Sequence, residues 1–215
     1  MKTFPAFIQR LLWILALVTT NALADLSDDI QRLQTRWAEV NYELTGKTQL
    51  TAFESLIEDA ASVTHNYPDR AEGWIWSGII KSTYAGARGG LGALKFAKAS
   101  KADLETAMEL DPNALNGSAY TSLGTLYYNV PGWPVGFGND DKAEELLKKA
   151  LTINPDGIDS NYFYGDFLCG ERRYEEAREY LIKAQHASPR PGRELADAGR
   201  QREIAARLAD VESHR

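Results

Sequence analysis

The sequence holds one cysteine, Cys169, among 215 residues. No disulfide can form within a single chain, so no cross-linked scaffold substitutes for a packed core. A lone thiol packs as a small hydrophobe, and Cys169 is expected to be buried or half-buried. Histidine is almost as scarce. His65, His186 and His214 lie far apart, with no metal-ligand spacing and none beside Cys169 to activate it. Cations are in the minority: 24 Lys and Arg stand against 30 Asp and Glu, a net charge of −6. That balance argues against nucleic acid as a partner, because phosphate contacts need clustered Lys and Arg. It also disfavours anionic membrane surfaces.

Long apolar runs are missing beyond the first 24 residues, which read MKTFPAFIQRLLWILALVTTNALA. Lys2 and Arg10 supply positive charge, Leu11 to Val18 is a short apolar run, and Ala22-Leu23-Ala24 offers small residues where a signal peptidase reads. A secretory signal peptide over 1–24 is expected, with the bacterial periplasm as the location. A membrane span would need about 20 apolar residues, and Pro5, Gln9 and Arg10 interrupt this run. Without Lys2 and Arg10, 22 basic side chains face 30 acidic ones, a formal charge of −8.

Signatures of catalysis are missing too. No nucleophile elbow appears. Glu144-Glu145 and Glu175-Glu176 read as solvated helix faces. The stretch GARGGLG lacks the preceding strand and the Gly-Lys-Ser/Thr ending of a phosphate loop. Asn116-Gly117-Ser118 matches a glycosylation acceptor but reads as a turn. No catalytic residue, metal or cofactor is expected.

What the chain does contain is a repeat. Pro155 and Pro189 lie 34 residues apart, and between them run Asn161, Tyr164, Gly165, Leu168, Ala177, Leu181 and Ala184. The frame recurs as Tyr120, Leu123, Gly124, Tyr127, Ala143, Leu147, Ala150 and Pro155. It recurs more weakly as Trp74, Ser77, Gly78, Lys81, Ser100, Leu104, Ala107 and Pro112. A degenerate copy precedes these, through Trp37, Val40, Asn41, Leu44, Leu56, Ala60, Val63 and Pro68. The pattern resembles the tetratricopeptide repeat. Gly and Ala at paired positions let two helices approach closely, and the prolines end each unit. The expected fold is an all-α, right-handed solenoid of four helix pairs, over about 29–68, 69–112, 113–155 and 156–189. A polar cap helix over 191–212 closes it, with Arg193, Glu194, Asp197, Arg200, Arg202, Glu203 and Arg207 as its charged surface.

Two units are longer than the period, both at the turn joining their helices. One addition falls within STYAGARGGLGALKFAKA, between Lys81 and Ser100; the other falls within the stretch NVPGWPVGFGND, between Tyr127 and Ala143. Units stack in register, so both loops should emerge side by side on one edge, often the binding face of such arrays. The prolines stiffen the second loop, and Asn139 or Asp140 should cap the helix after it. Trp133 and Phe137 either cover their own helix ends or form an aromatic lip. The two readings are compatible if Trp133 is packed and Phe137 faces out. First helices line the inner face of the array. The candidate binding residues are therefore Ile75, Ile79, Thr125, Tyr128, Tyr162 and Asp166 from that face, with Arg88, Trp133 and Phe137 from the loop edge.

Beyond the repeat, the leader, the Gly-rich first loop, LYYNVPGWPVGFG before KAEELLKKAL, and NYFYGDFL together make the chain similar to the T component of tripartite ATP-independent periplasmic (TRAP) transporters. That resemblance implies a non-enzymatic accessory sited beside the transporter's solute-binding protein, or a carrier of a small apolar ligand. Several family members are lipoproteins, whereas the residue directly after Ala24 here is Asp25 and not a cysteine. The repeat and the shared loop edge by themselves imply only a protein partner held by the groove and loop edge. Whether copies of the chain form a homo-oligomer stays open.

Overall fold

The computed structural model describes residues 6–90 and 92–214, with side chains from Asp25 onward. The expected leader over 1–24 lies outside the described side chains. Among the described residues there are nine helices and no strand: α1 (Ala6–Glu43), α2 (Gly46–Asn66), α3 (Ala71–Arg88), α4 (Ala93–Leu110), α5 (Ala114–Asn129), α6 (Asp140–Ile153), α7 (Ile158–Gly170), α8 (Tyr174–Gln185) and α9 (Glu194–Ser213). None of them is long and apolar enough to cross a membrane. Each helix packs on its successor, and α1, α3, α5, α7 and α9 also pack in sequence on one another. The odd-numbered helices therefore form one layer and the even-numbered helices the other.

The glycine frame explains the pairing. A Cβ on Gly78 would lie 2.6 Å from Leu104 Cγ, one on Gly124 2.8 Å from Leu147 Cγ, and one on Gly165 2.9 Å from Leu181 Cγ. The same Gly-against-Leu contact thus recurs in three units. Around it Ala60, Ala107, Ala143, Ala150, Ala177 and Ala184 are fully buried. In the degenerate first unit Val40, Leu56 and Ala60 are buried, but Asn41 stands where the other units have glycine, so the Gly-against-Leu contact is not repeated there. Replacing Gly165 by Leu is expected to cost about 1–3 kcal/mol by overpacking this contact, read as a lowered denaturation midpoint at unchanged m-value.

The first long unit differs from the expected loop. Only Gly89 to Gly92 separate α3 from α4, and the surplus residues extend both helices to 18 residues each. Tyr84 drives this. Its ring is buried, packs edge-on to Phe96 at 4.6 Å and against Phe53 at 6.2 Å, and its hydroxyl donates to Glu54 Oε1 at 2.6 Å. Gly89, at φ +61°, then ends α3 in a backbone region that disfavours side chains. In the second long unit residues 130–139 do form a true corner. Gly138 N donates to Pro131 O at 3.0 Å, Asn139 N donates to Tyr127 O at 2.9 Å, and Asn139 Oδ1 caps α6 by accepting from Lys142 N at 2.8 Å.

The last helix does more than cap. Ala196 is buried in the core cluster of the first units, and Gly199 sits against the ring of Tyr42 from α1. Tyr42 OH reaches Glu203 Oε2 at 3.5 Å. The first and last helices of the layer thus meet, and the array closes into a ring.

Candidate functional site

Ring closure leaves a partly open cavity of about 1210 Å³, faced by α1, α3, α4, α5 and α7 and by the segment leading into α9. Its apolar wall includes Trp37, Trp76, Ile79, Leu115, Leu126 and Phe163. Hydroxyls interleave with these: Ser82, Thr83, Ser118, Thr121, Ser122 and Thr125. Trp37 Nε1 is satisfied by Thr83 Oγ1 at 3.0 Å. Both long units contribute wall residues to this one cavity, Gly90 and Ala93 from the first and Val130, Pro131 and Val135 from the second. The two corners therefore lie on the same side of the solenoid, as the stacking argument requires.

Backbone geometry aims part of this wall. Leu115, Asn116 and Gly117 have φ of 46°, 56° and 73°. Left-handed backbone is costly for Leu, and such residues cluster at ligand sites. Here Leu115 and Asn116 both line the cavity. Gly117 is packed so tightly on Ile153 that a Cβ would lie 3.0 Å from its Cδ1.

One end of the cavity is charged. Asp159 takes Arg190 at 2.5 Å and Arg200 at 2.9 Å; Arg190 also pairs with Asp197 at 2.6 Å, and Arg200 with Glu203 at 2.5 Å. Burial alone would raise the Asp159 carboxyl, but Arg200 and Arg190 outweigh it and hold it down to about 2. Arg200 is itself buried, with its guanidinium 4.4 Å from the ring centres of both Tyr162 and Phe163. The expectation that Arg193 and Arg200 belong to a solvated cap surface is thus corrected, because α9 turns that face inward against α7 and α1.

Of the residues expected to bind, Ile79 and Thr125 face the cavity. Ile75 is fully buried in the core formed with Leu104 and Leu123, out of reach of a partner. Tyr128, Tyr162 and Asp166 come together, but as packing under α9. Tyr128 OH donates to Asp166 Oδ2, and Arg207 pairs with Asp166 Oδ1 at 2.5 Å. Burial first, then Asp166, pushes the Tyr162 phenol up to about 12. Arg88 donates to Tyr84 OH at 2.9 Å and lies 5.9 Å from the Phe96 ring centre, outside the cavity. The two loop aromatics are reversed relative to the arrangement that would reconcile their two readings. Trp133 is 90% exposed, whereas Phe137 is half-buried edge-on to Tyr127 at 5.5 Å. Cys169 is free and buried, and burial raises its thiol to about 11, away from reactivity.

Residues 137–200 match the tetratricopeptide repeat family. TTC0263, a thermophilic TPR protein of Thermus thermophilus, superposes with a TM-score of 0.57 at 17% identity, covering 76% of each chain. The fold is a tetratricopeptide-type helical solenoid. MamA superposes less closely, with a TM-score of 0.45 at 18% identity, covering 78% of this chain and 91% of MamA. No curated protein matches the sequence. In this TPR solenoid the odd-numbered helices are the concave layer, and α9 meets α1 across it.

Residues that sequence reasoning missed are Trp37, Trp76, Arg190, Arg193 and Arg200. Trp37 was legible only as a frame position of the degenerate first unit, and Trp76 not at all. The arginines lie in and around a polar last helix, where a solvated face is the ordinary expectation.

Proposed function

We propose that the chain is a non-enzymatic periplasmic interaction module that docks on a protein partner through the corner between α5 and α6. The observation that carries this reading is the exposure of Trp133, at 90%, and of Val135, at 59%, on a corner pinned by its own backbone hydrogen bonds. A large aromatic presented to solvent on a rigid support is typical of an interface anchor. Gly136 and Gly138 support the rigidity, since a Cβ on either would collide with the backbone of Val130 or Pro131.

The finer reading is an accessory T component of a TRAP-type transporter, with the solute-binding protein as the partner. Its support is the sequence resemblance, together with the leader expected over 1–24. Purified chain and the solute-binding protein of a TRAP transporter from the same organism should associate. Trp133→Ala should weaken that association at least about tenfold, as loss of an interface anchor does. No association of the unaltered chain, or equal affinity of the variant, defeats the reading. Recovery of the processed chain from the cytoplasmic fraction defeats the location.

A further inference from the structure

The charged end of the cavity leaves two donors without acceptors. Asp159, Asp197 and Glu203 are taken up by Arg190 and Arg200. Arg193 stands beside them. Its side chain makes no ion pair or hydrogen bond among the described residues, and its buried Nε has no acceptor. Its guanidinium lies 5.1 Å from the ring centre of Trp76. Trp76 is 4% exposed, and its buried Nε1 is also without an acceptor. Both side chains line the same cavity. A buried donor left unpaired is costly, and a charged one more so. Burial, with Arg190 adding to it, correspondingly depresses the Arg193 pKa. Native structures satisfy most buried donors, so two orphans on one cavity wall point to a group that completes them.

From this pair we infer a ligand subsite: Arg193 and Trp76 receive the carboxylate of a small organic anion whose apolar body lies along the cavity. This goes beyond protein docking and uses no residue of the exposed corner. The chemistry of the site selects the class. Among the described residues Arg193 is the single unpaired guanidinium on the wall, which matches one negative charge. Asp156 also lines the cavity, with no ion pair among the described residues, and disfavours the second charge of a dianion such as inorganic phosphate. A cavity of about 1210 Å³ walled by Trp37, Ile79, Leu126 and Phe163 would remain largely unfilled around a bare ion. A volume of this order instead accepts a ligand of drug size or above. The fork of Arg193 can bind a carboxylate bidentately, and the Trp76 ring, 5.1 Å from its guanidinium, holds the group on this wall.

The test uses the full chain with decanoate, 3-phenylpropionate, 1-decanol and inorganic phosphate, read by calorimetry and tryptophan fluorescence. Decanoate or phenylpropionate should bind with a change in Trp emission. 1-Decanol should bind about tenfold more weakly than decanoate, and phosphate should not compete. Arg193→Met keeps the side-chain bulk and removes the charge. It should weaken carboxylate binding about tenfold, the loss expected for one charge-assisted contact, and leave 1-decanol unchanged. Without ligand, Arg193→Met should melt no lower than the unaltered chain, because it removes a desolvated, unpaired charge. Binding of neither carboxylate overturns the subsite, as does equal carboxylate affinity in the variant. Competition by phosphate shows a plain anion site and overturns the assigned class. A lowered melting temperature for Arg193→Met assigns the residue to structure and overturns it as well.

Discussion

Arg200→Ala is expected to destabilise the chain by about 3 kcal/mol, the low end of the cost of removing one partner from a buried ion pair. Arg200 holds Asp159 at 2.9 Å and Glu203 at 2.5 Å, and its guanidinium covers Tyr162 and Phe163. Truncation leaves Glu203 without its paired guanidinium, with only the Tyr42 hydroxyl at 3.5 Å, and strips the cover from both rings. The low end applies because Asp159 keeps Arg190. Arg200→Lys restores the charge without the planar fork and should recover only part of the loss. The pH dependence gives a second readout. Asp159 titrates at about 2 in the folded chain, against an ordinary 3.8, so the folded state holds its proton less tightly than the unfolded state. The stability it contributes is complete above about pH 4 and disappears as the pH falls towards 2. Glu144, held to about 2 by Lys148 and then Arg173, loses its contribution across an overlapping acid range in both proteins. The difference between unaltered chain and variant therefore isolates the cluster: it should narrow on acidification from pH 4 to pH 2. A constant difference across that range would mean that Arg200 acts through packing alone.

The helix pairs were legible in the sequence because close approach has a compositional signature. Only a residue without a side chain fits opposite Leu104, Leu147 and Leu181, so Gly78, Gly124 and Gly165 recur at that position. The true form of the first long unit was not legible. Counting surplus residues between Lys81 and Ser100 says nothing about whether they are helical. The deciding contacts, Tyr84 with Phe53 and Glu54, come from the preceding unit. The two loop aromatics differ in the same way. Phe137 is held by Tyr127 and lies 6.0 Å from the Lys101 ammonium of another unit, while no ring contact holds Trp133 among the described residues. At the site, Ile79 and Thr125 follow from inner-helix periodicity. Arg193 and Trp76 do not, because they meet only once the chain has come round on itself.

That closure depends on the small offset between successive units, summed over the whole array. One residue makes the seam possible. Gly199 of α9 lies so close to the Tyr42 ring that any Cβ there would fall within the ring's van der Waals surface. Tyr42 has little freedom to yield, being edge-on to Trp37 at 5.7 Å with Arg202 5.8 Å from its ring centre. Gly199→Val is therefore expected to part α1 from α9 at a cost of about 3 kcal/mol, the upper end for overpacking. The loss should be local before it is global. Amide exchange in α1 and in the first turns of α9 should speed up, while α6 to α8, whose core cluster also takes in Ile204 and Val211 from farther along α9, keep their protection. Trp37 and Trp76 should move towards water, seen as a red shift in emission. Gly86→Ala serves as the control, since its added methyl meets nothing within 4 Å and a helical Ala is favoured over Gly. If Gly199→Val melts with the unaltered chain and α1 keeps its protection, the seam is not closed in solution. The cavity would then be a fully open concave face, without the partial enclosure on which a small ligand depends.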